Sequence, residues 1–252
     1  MIKQEKDNYV YDMDWSESGN GFNSFLNYRR YQFNLIKNYL GKNILEIGTG
    51  DRSFTKQISI NCKHNYNLLS TEPSPVLFEL FKNEGKFTDN FEFISMDLFD
   101  MNVGFEKTFD TILMIHVLEH IKEDKRAIDH THKLLNDGGH LLIQVPAYQW
   151  LFSDHDVSIG HHRRYNKKSI SKIIDSNKYK IVRIWHQDPI GILGSLLFFK
   201  IKKTKLKSKE GNDLLCRQGV FYDRFIIPFE QFIEKYINFP IGLNLTVVLK
   251  KL

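Results

Sequence analysis

The sequence predicts an α/β fold, a parallel sheet covered by helices, and three observations carry that expectation. Strand and helix signals alternate from residue 23 to residue 186, the rhythm of successive βα units. The run Asn43-Ile44-Leu45-Glu46-Ile47-Gly48-Thr49-Gly50-Asp51 reads as a buried strand that ends in an acid and then two glycines, spaced to let backbone approach a ligand. Two further apolar runs end at Glu72 and Asp97, so three strand ends in a row present carboxylates, and open α/β sheets bind ligands at those ends.

Taken in order, residues 23–40 give a first helix and residues 43–47 the first strand, whose glycine turn leads into a helix at 54–59. A strand at 66–71, a helix at 75–83 and a strand at 91–96 follow, and then strands at 108–115 and 140–145 flank a helix at 125–135. A helix at 168–176 and a strand at 179–185 complete the alternation, and Leu243-Asn244-Leu245-Thr246-Val247-Val248-Leu249-Lys250 reads as a last strand. Between Gln187 and Pro240 the chain leaves this rhythm for an apolar piece, a lysine run and an aromatic amphipathic piece. The expected organisation is one domain over 1–252, with 1–40 as a helical cap and 187–240 as an accessory insertion or lid.

Composition sets limits on the function. At 252 residues, 42% hydrophobic and 26% charged, the chain can bury one sizeable core. The net charge of +5 is local, because Lys200, Lys202, Lys203, Lys205, Lys207 and Lys209 crowd one segment. Cys62 and Cys216 form no CxxC spacing, so neither zinc nor a disulfide framework is indicated and a reducing cytoplasm fits. The first residues lack the apolar core of a signal peptide, and the apolar run at 190–199 is too short for a membrane span, so no integral membrane segment is expected.

The ordered set Leu45-Glu46-Ile47-Gly48-Thr49-Gly50, Glu72-Pro73-Ser74-Pro75, Asp97, Phe109-Asp110-Thr111-Ile112, Val117-Leu118-Glu119-His120-Ile121 and Leu134-Leu135-Asn136-Asp137-Gly138-Gly139 resembles the class I S-adenosylmethionine-dependent methyltransferases. The resemblance implies a Rossmann-like, seven-stranded, mostly parallel sheet with an antiparallel last strand and helices on both faces. It also implies S-adenosyl-L-methionine as cofactor. Gly48 and Gly50 then face its methionine portion and Glu46 its ammonium, while Glu72 accepts from both ribose hydroxyls and Asp97 from the adenine amino group, with the Leu98 backbone against the ring. By the same resemblance His116 and Val117 lie against the cofactor and Tyr28 closes the methionine end. The chain departs from the usual glycine-rich loop at Arg52, whose side chain must point away from the cofactor or meet its carboxylate.

Gly160-His161-His162-Arg163-Arg164-Tyr165 resembles an element of small-molecule and glycan methyltransferases that borders the acceptor pocket. A hydroxyl acceptor gains from a base, so His161 is the first catalytic candidate and His120 the second. Tyr148, His162, Arg163, Arg164 and Tyr165 are the expected acceptor contacts, and the cations suit an anionic acceptor; the alternative for residues 161–165 is that they bond and stack to fix the loop before the helix at residue 168. His116 and His120 share helical spacing, and Asp154, His155, Asp156 and His161 could converge, yet no metal is assigned. The aromatic insertion fits core or a homodimer surface. The expected reaction is methylation of a small-molecule or glycan-type acceptor, at oxygen. RNA methylation is the alternative enzyme reading and a non-catalytic cofactor-binding scaffold the alternative non-enzyme one. Nucleic acid is disfavoured as a partner because no Asn/Asp-Pro-Pro-Tyr motif occurs. A dinucleotide-binding dehydrogenase would share the glycine turn and Glu72, but not Asp97 or Val117-Leu118-Glu119-His120.

Overall fold

The computed structural model describes residues 26–62, 66–83, 90–101, 108–197, 219–234, 236–237 and 239–252. The lysine run, most of the residue 1–40 cap and Cys216 lie outside them. Seven strands, β1 (Asn43–Ile47), β2 (Asn67–Thr71), β3 (Phe91–Ile94), β4 (Phe109–Ile115), β5 (Leu135–Pro146), β6 (Tyr179–Gln187) and β7 (Asn244–Lys251), form one sheet in the order β3-β2-β1-β4-β5-β7-β6. β1 pairs in parallel with β2 and β4, and β7 lies antiparallel between β5 and β6. The chain builds outward from β1 to β3, then crosses to the other side of β1, and this reversal opens a crevice at the carboxyl edge between β1 and β4.

Side-chain alternation distributes each strand between two cores. Leu45, Ile47, Ile112, Met114, Leu141 and Ile143 join Ala127, Ile128 and Leu134 of helix α4 (Asp124–Leu134) on one face. Ile44, Leu68, Leu113, Leu142 and Val248 meet Phe33 and Ile36 of α1 (Leu26–Ile36) and Phe54 and Ile58 of α2 (Ser53–Cys62) on the other. Burying each such side chain stabilises the fold by about 1.5 to 3 kcal/mol, so both helix layers are locked to the sheet by apolar area. Helix α3 (Pro75–Phe81) starts where Ser74 Oγ accepts from Leu77 N at 3.4 Å and Pro75 occupies the first turn.

The expected elements hold, with shifted ends. β5 begins at Leu135, before residue 140, because Leu135 pairs with Phe109 across a register shift in β4. Helix α6 (Lys167–Ile173) stops before residue 176, because the Asp175 carboxylate accepts from Asn177 N at 2.9 Å and turns the chain into β6. Outside the insertion, one helix among the described residues was not expected: α5 (Asp154–Ser158), five residues long and opened by a Ser153–Asp156 capping box. In the insertion, α7 (Gly191–Ser195) is described, as is a π-helical turn (Tyr222–Ile226) running into α8 (Ile227–Glu234). Asp223 of that turn accepts from the backbone of Asn27 at 3.2 Å and Tyr28 at 2.8 Å, so the insertion caps the amino end of α1. Phe221, Phe225, Phe229 and Phe232 of the same segment are more than half exposed, so of the two expectations, core or homodimer surface, they do not meet the first. Among the described residues no helix is long and apolar enough to cross a membrane.

Candidate active site

The β1–α2 turn occupies the crevice. Gly48 and Gly50 adopt φ of 65° and 56°, the left-handed region open to glycine. A Cβ at Gly48 would come within 2.9 Å of Val117 Cγ2, so glycine there lets the turn touch the end of β4. A Cβ at Gly50 would meet nothing within 4 Å, so open space lies above the turn. Gly50 N donates to Glu72 Oε2 at 2.8 Å and Ser74 N to Glu72 Oε1 at 2.9 Å. These two bonds fix the Glu72 carboxylate beside the turn, at the carboxyl edge of β2. Asp97 Oδ1 accepts from Phe99 N at 2.9 Å and caps a short 3-10 turn, and the Leu98 side chain is buried, so only its backbone can face a ligand. The open cradle and the two strand-end carboxylates fit an S-adenosyl group.

Glu46 lies beneath the turn, where Thr55 and Ser70 hydroxyls donate to Oε2 at 2.6 and 2.9 Å. Burial raises its pKa to about 7, against those bonds and the Arg52 charge. Arg52 points away from the crevice: its guanidinium lies 5.0 and 4.7 Å from the Phe91 and Phe93 rings, and Nη1 donates to Phe81 O at 2.6 Å. The non-glycine residue with φ of 60° therefore fastens the turn to β3 and α3.

Beyond β4 a polar cluster gathers. Arg29 Nη1 donates to Gln32 Oε1 at 3.0 Å, which turns the Gln32 amide nitrogen toward His116 Nε2 at 3.1 Å. His116 Nε2 is then an acceptor, and Nδ1 carries the proton toward Glu119 Oε1 at 3.3 Å. His161 Nδ1 lies 2.9 Å from Asp156 Oδ1 and its Nε2 3.8 Å from Glu119 Oε1. The His120 ring meets that of His161 edge-on, with centroids 4.7 Å apart. Burial drives the His120 pKa down to about 4, with Glu119 opposing. Burial pushes the Glu119 pKa up, but the His116 hydrogen bond and the nearby imidazoles hold it below the usual carboxylate value. Asp156 is likewise raised by burial and pulled well below its usual value by bonds to His161 and Arg164.

The expected acceptor contacts are tied into the loop. Arg164 Nε and Nη2 grip Asp156 at 2.7 and 3.0 Å, Arg163 pairs with Asp124 at 2.6 Å, and Tyr165 donates to Asp124 Oδ2 at 3.0 Å. Those side chains bind the loop to α5 and to the start of α4, the loop-fixing alternative, while the Arg163 side chain stays 29% exposed. His162 is exposed, and its N–H donates to Glu119 O at 2.9 Å, which holds the loop over β4. Tyr148, with φ of 63°, stacks on His186 at 5.0 Å. Tyr28 turns its hydroxyl to Asn244 at the start of β7.

A second cluster escaped the sequence reading. Asp188 and Glu230, 2% and 1% exposed, share the Tyr222 hydroxyl, and Glu234 Oε2 accepts from Tyr31 at 2.6 Å. Burial raises the pKa of Asp188 and Glu230, each aggravated by a neighbouring carboxylate. The Glu230/Glu234 pair at helical spacing was the available signal.

A methyltransferase-domain profile matches residues 25–184. A search of curated proteins returns no match. Among solved structures the chain is similar to plantazolicin methyltransferase BpumL in complex with SAH, at 14% identity over 98% of this chain and 93% of that one, with TM-score 0.59. It is also similar to a chain of the complex between the Haloferax volcanii Trm112 methyltransferase activator and a methyltransferase, at 12% identity over 94% and 95%, with TM-score 0.60. The N-methyltransferase NodS from Bradyrhizobium japonicum WM9 aligns at 14% identity over 95% and 98%, with TM-score 0.50. With a methyltransferase-domain match over most of the chain, and the seven-stranded sheet that carries it, the protein belongs to the class I S-adenosylmethionine-dependent methyltransferases.

Proposed function

We propose that the enzyme methylates a small-molecule or glycan-type acceptor at oxygen, with the acceptor atom held between the glycine turn and the His161 loop. The observation that carries this reading is the contact of Val117 with Gly48, which sets the cradle directly beside Glu119, His120 and His161. When bound, S-adenosylmethionine supplies the methyl group. Glu72 takes the ribose hydroxyls, Asp97 and the Leu98 backbone take the adenine, and His116, Val117 and Tyr28 border the methionine end. Glu46 meets the ammonium, whose charge favours its ionised form. Positioning supplies much of the catalysis of such a displacement, so the rigid turn is itself catalytic machinery. His161, oriented by Asp156, and His120 act on the acceptor O–H, and Tyr148 and His162 border its approach. The residues 187–240 insertion serves as a lid, a role supported by Asp188 and Glu230 lying at the carboxyl edge with the crevice.

The test is calorimetry with S-adenosylhomocysteine followed by cofactor-dependent methylation of a metabolite and nucleotide-sugar extract, read by mass. Binding of S-adenosylhomocysteine with a mass gain of one methyl group on an alcohol is expected. Tight nicotinamide binding with no response to S-adenosylhomocysteine refutes the reading, and methylation at nitrogen or on RNA replaces its acceptor half.

A further inference from the structure

We propose that Glu119, His120 and His161 hold one divalent transition-metal ion at the acceptor side of the crevice, through a carboxylate oxygen and two imidazole nitrogens. The proposal rests on the reading of the acceptor site above and changes one role in it: His161 and His120 act on the acceptor O–H through the ion they hold and not as bases. One ligand atom from each of the three residues lies within 4.8 Å of the others. His161 Nε2 and Glu119 Oε1 are already 3.8 Å apart. Metal bonds of about 2.1 Å in a tetrahedron place ligand atoms about 3.4 Å apart, so rotamer-scale closure completes the set.

An independent observation points the same way. Glu119 is fully buried, and its Oε2 has no hydrogen-bond partner among the described residues. A buried carboxylate oxygen left this way costs about 1 to 3 kcal/mol or more, and an ion held by both carboxylate oxygens, Oε1 on the side of His161 and Oε2 beside it, removes the cost. The surroundings are also those of ligating side chains. His161 directs Nδ1 at Asp156, which Arg164 grips through two bonds, so Nε2 is left to face Glu119. The Gly160 backbone is in hydrogen-bond contact with His120, and His116 bonds the Glu119 oxygen that faces His161. A carboxylate or carbonyl on the far nitrogen fixes ring orientation and tautomer in metal-bound histidines, and this arrangement occurs here on both rings. Two imidazoles and one carboxylate select zinc, cobalt, nickel, manganese or iron over calcium or magnesium, and three protein ligands leave a position open. An acceptor hydroxyl entering that position loses its proton to solvent water and keeps the electron pair on a metal-bound oxygen, which becomes the stronger nucleophile.

The experiment uses the full chain, stripped with a chelator and titrated with cobalt(II) chloride. Visible d–d absorption saturating at one equivalent is expected, with displacement by zinc chloride and two hyperfine-shifted imidazole N–H resonances. Glu119→Gln and His161→Asn should each weaken cobalt binding by more than about 100-fold, Asp156→Asn by about 10- to 100-fold, and Glu230→Gln not at all. Two independent ligand variants guard against one failing to fold, with circular dichroism checking each. No stoichiometric cobalt binding, or binding that survives both Glu119→Gln and His161→Asn, overturns the proposal. S-adenosylhomocysteine calorimetry on the stripped protein is read separately, so a failed metal site and a failed methyltransferase reading give different results.

Discussion

Two buried clusters of carboxylates sit on the same edge of one sheet and solve the same problem in opposite ways. Asp156 is fully buried and faces a guanidinium and an imidazole, so its pKa is pulled below the usual range despite burial. Asp188 and Glu230 are as deeply buried, but their neighbours are tyrosine hydroxyls, backbone N–H groups and each other, and their pKa values rise. Among the described residues no Lys or Arg pairs with them. The contrast shows that burial does not by itself decide whether an acid is charged; the donor opposite it does. It also separates an edge region built to keep charge, where we propose the acceptor chemistry, from one built to hold a proton.

The strongest way to break this contrast is to remove the charged acid. Asp156→Ala leaves Arg164, 8% exposed, without its carboxylate and should cost about 3 to 5 kcal/mol in urea unfolding. A loss below about 1 kcal/mol would mean that Arg164 swings to solvent and that the ion pair does not organise the loop. Glu72 offers a third way of holding a buried acid, with backbone N–H groups of Gly50 and Ser74 donating to its two oxygens. Glu72→Ala should weaken S-adenosylhomocysteine binding by about 1.5 to 3 kcal/mol in calorimetry with the fold intact, and unchanged binding removes Glu72 from the ribose site.

The pH dependence sharpens the comparison. The depressed carboxyl of Asp156 stabilises the fold above the ordinary carboxylate range, and that contribution disappears only in strong acid. The raised carboxyls of Asp188 and Glu230 behave conversely: their contribution is full below the ordinary range and is lost as pH rises through their folded values. Glu234, Tyr28, Tyr31 and Tyr222 face the same pair, and no cation among them reverses the sign. Between about pH 5 and 9, local opening at Ile190 and Gly191 should become easier by on the order of 1 to 2 kcal/mol, while that at Arg164 stays level. Amide exchange corrected for intrinsic rate measures both, and parallel behaviour at the two sites erases the distinction.

The sheet, the glycine turn and the strand-end acids were legible because each depends on residues adjacent in sequence. Asn43 to Ile47 is one apolar run, and its turn is two glycines that only a positive φ explains. The second half of the site was legible as residue types and not as partners. His161 was visible as a candidate, but Asp156 as its orienting acid was not, because α5 is too short for helical periodicity and the Ser153–Asp156 capping box is its main local mark. Arg163 and Arg164 were assigned to an anionic acceptor because sequence shows a cation without showing what it faces; here it faces Asp124 and Asp156. Sequence leaves Arg52 either pointing away from the cofactor or meeting its carboxylate, and only the rings of Phe91 and Phe93, brought alongside by β-sheet pairing, reveal that its side chain points away.

Glu230→Gln tests the contrast with the smallest expected effect. Glu230 Oε1 accepts from Ile190 N at 2.7 Å, and its other oxygen shares the Tyr222 hydroxyl with Asp188. A carboxyl that keeps its proton in this setting presents one acceptor and one donor, and the glutamine amide presents the same pair in nearly the same volume. Stability near pH 7 should therefore change by less than about 1 kcal/mol, because no charge is removed and no buried group is left unpaired. The alkaline loosening at Ile190 should also flatten, since one of the two titrating carboxyls is gone. A loss of several kcal/mol from Glu230→Gln would mean that the carboxylate is ionised and held by a cation from the undescribed part of the insertion, and both clusters would then keep charge by the same means.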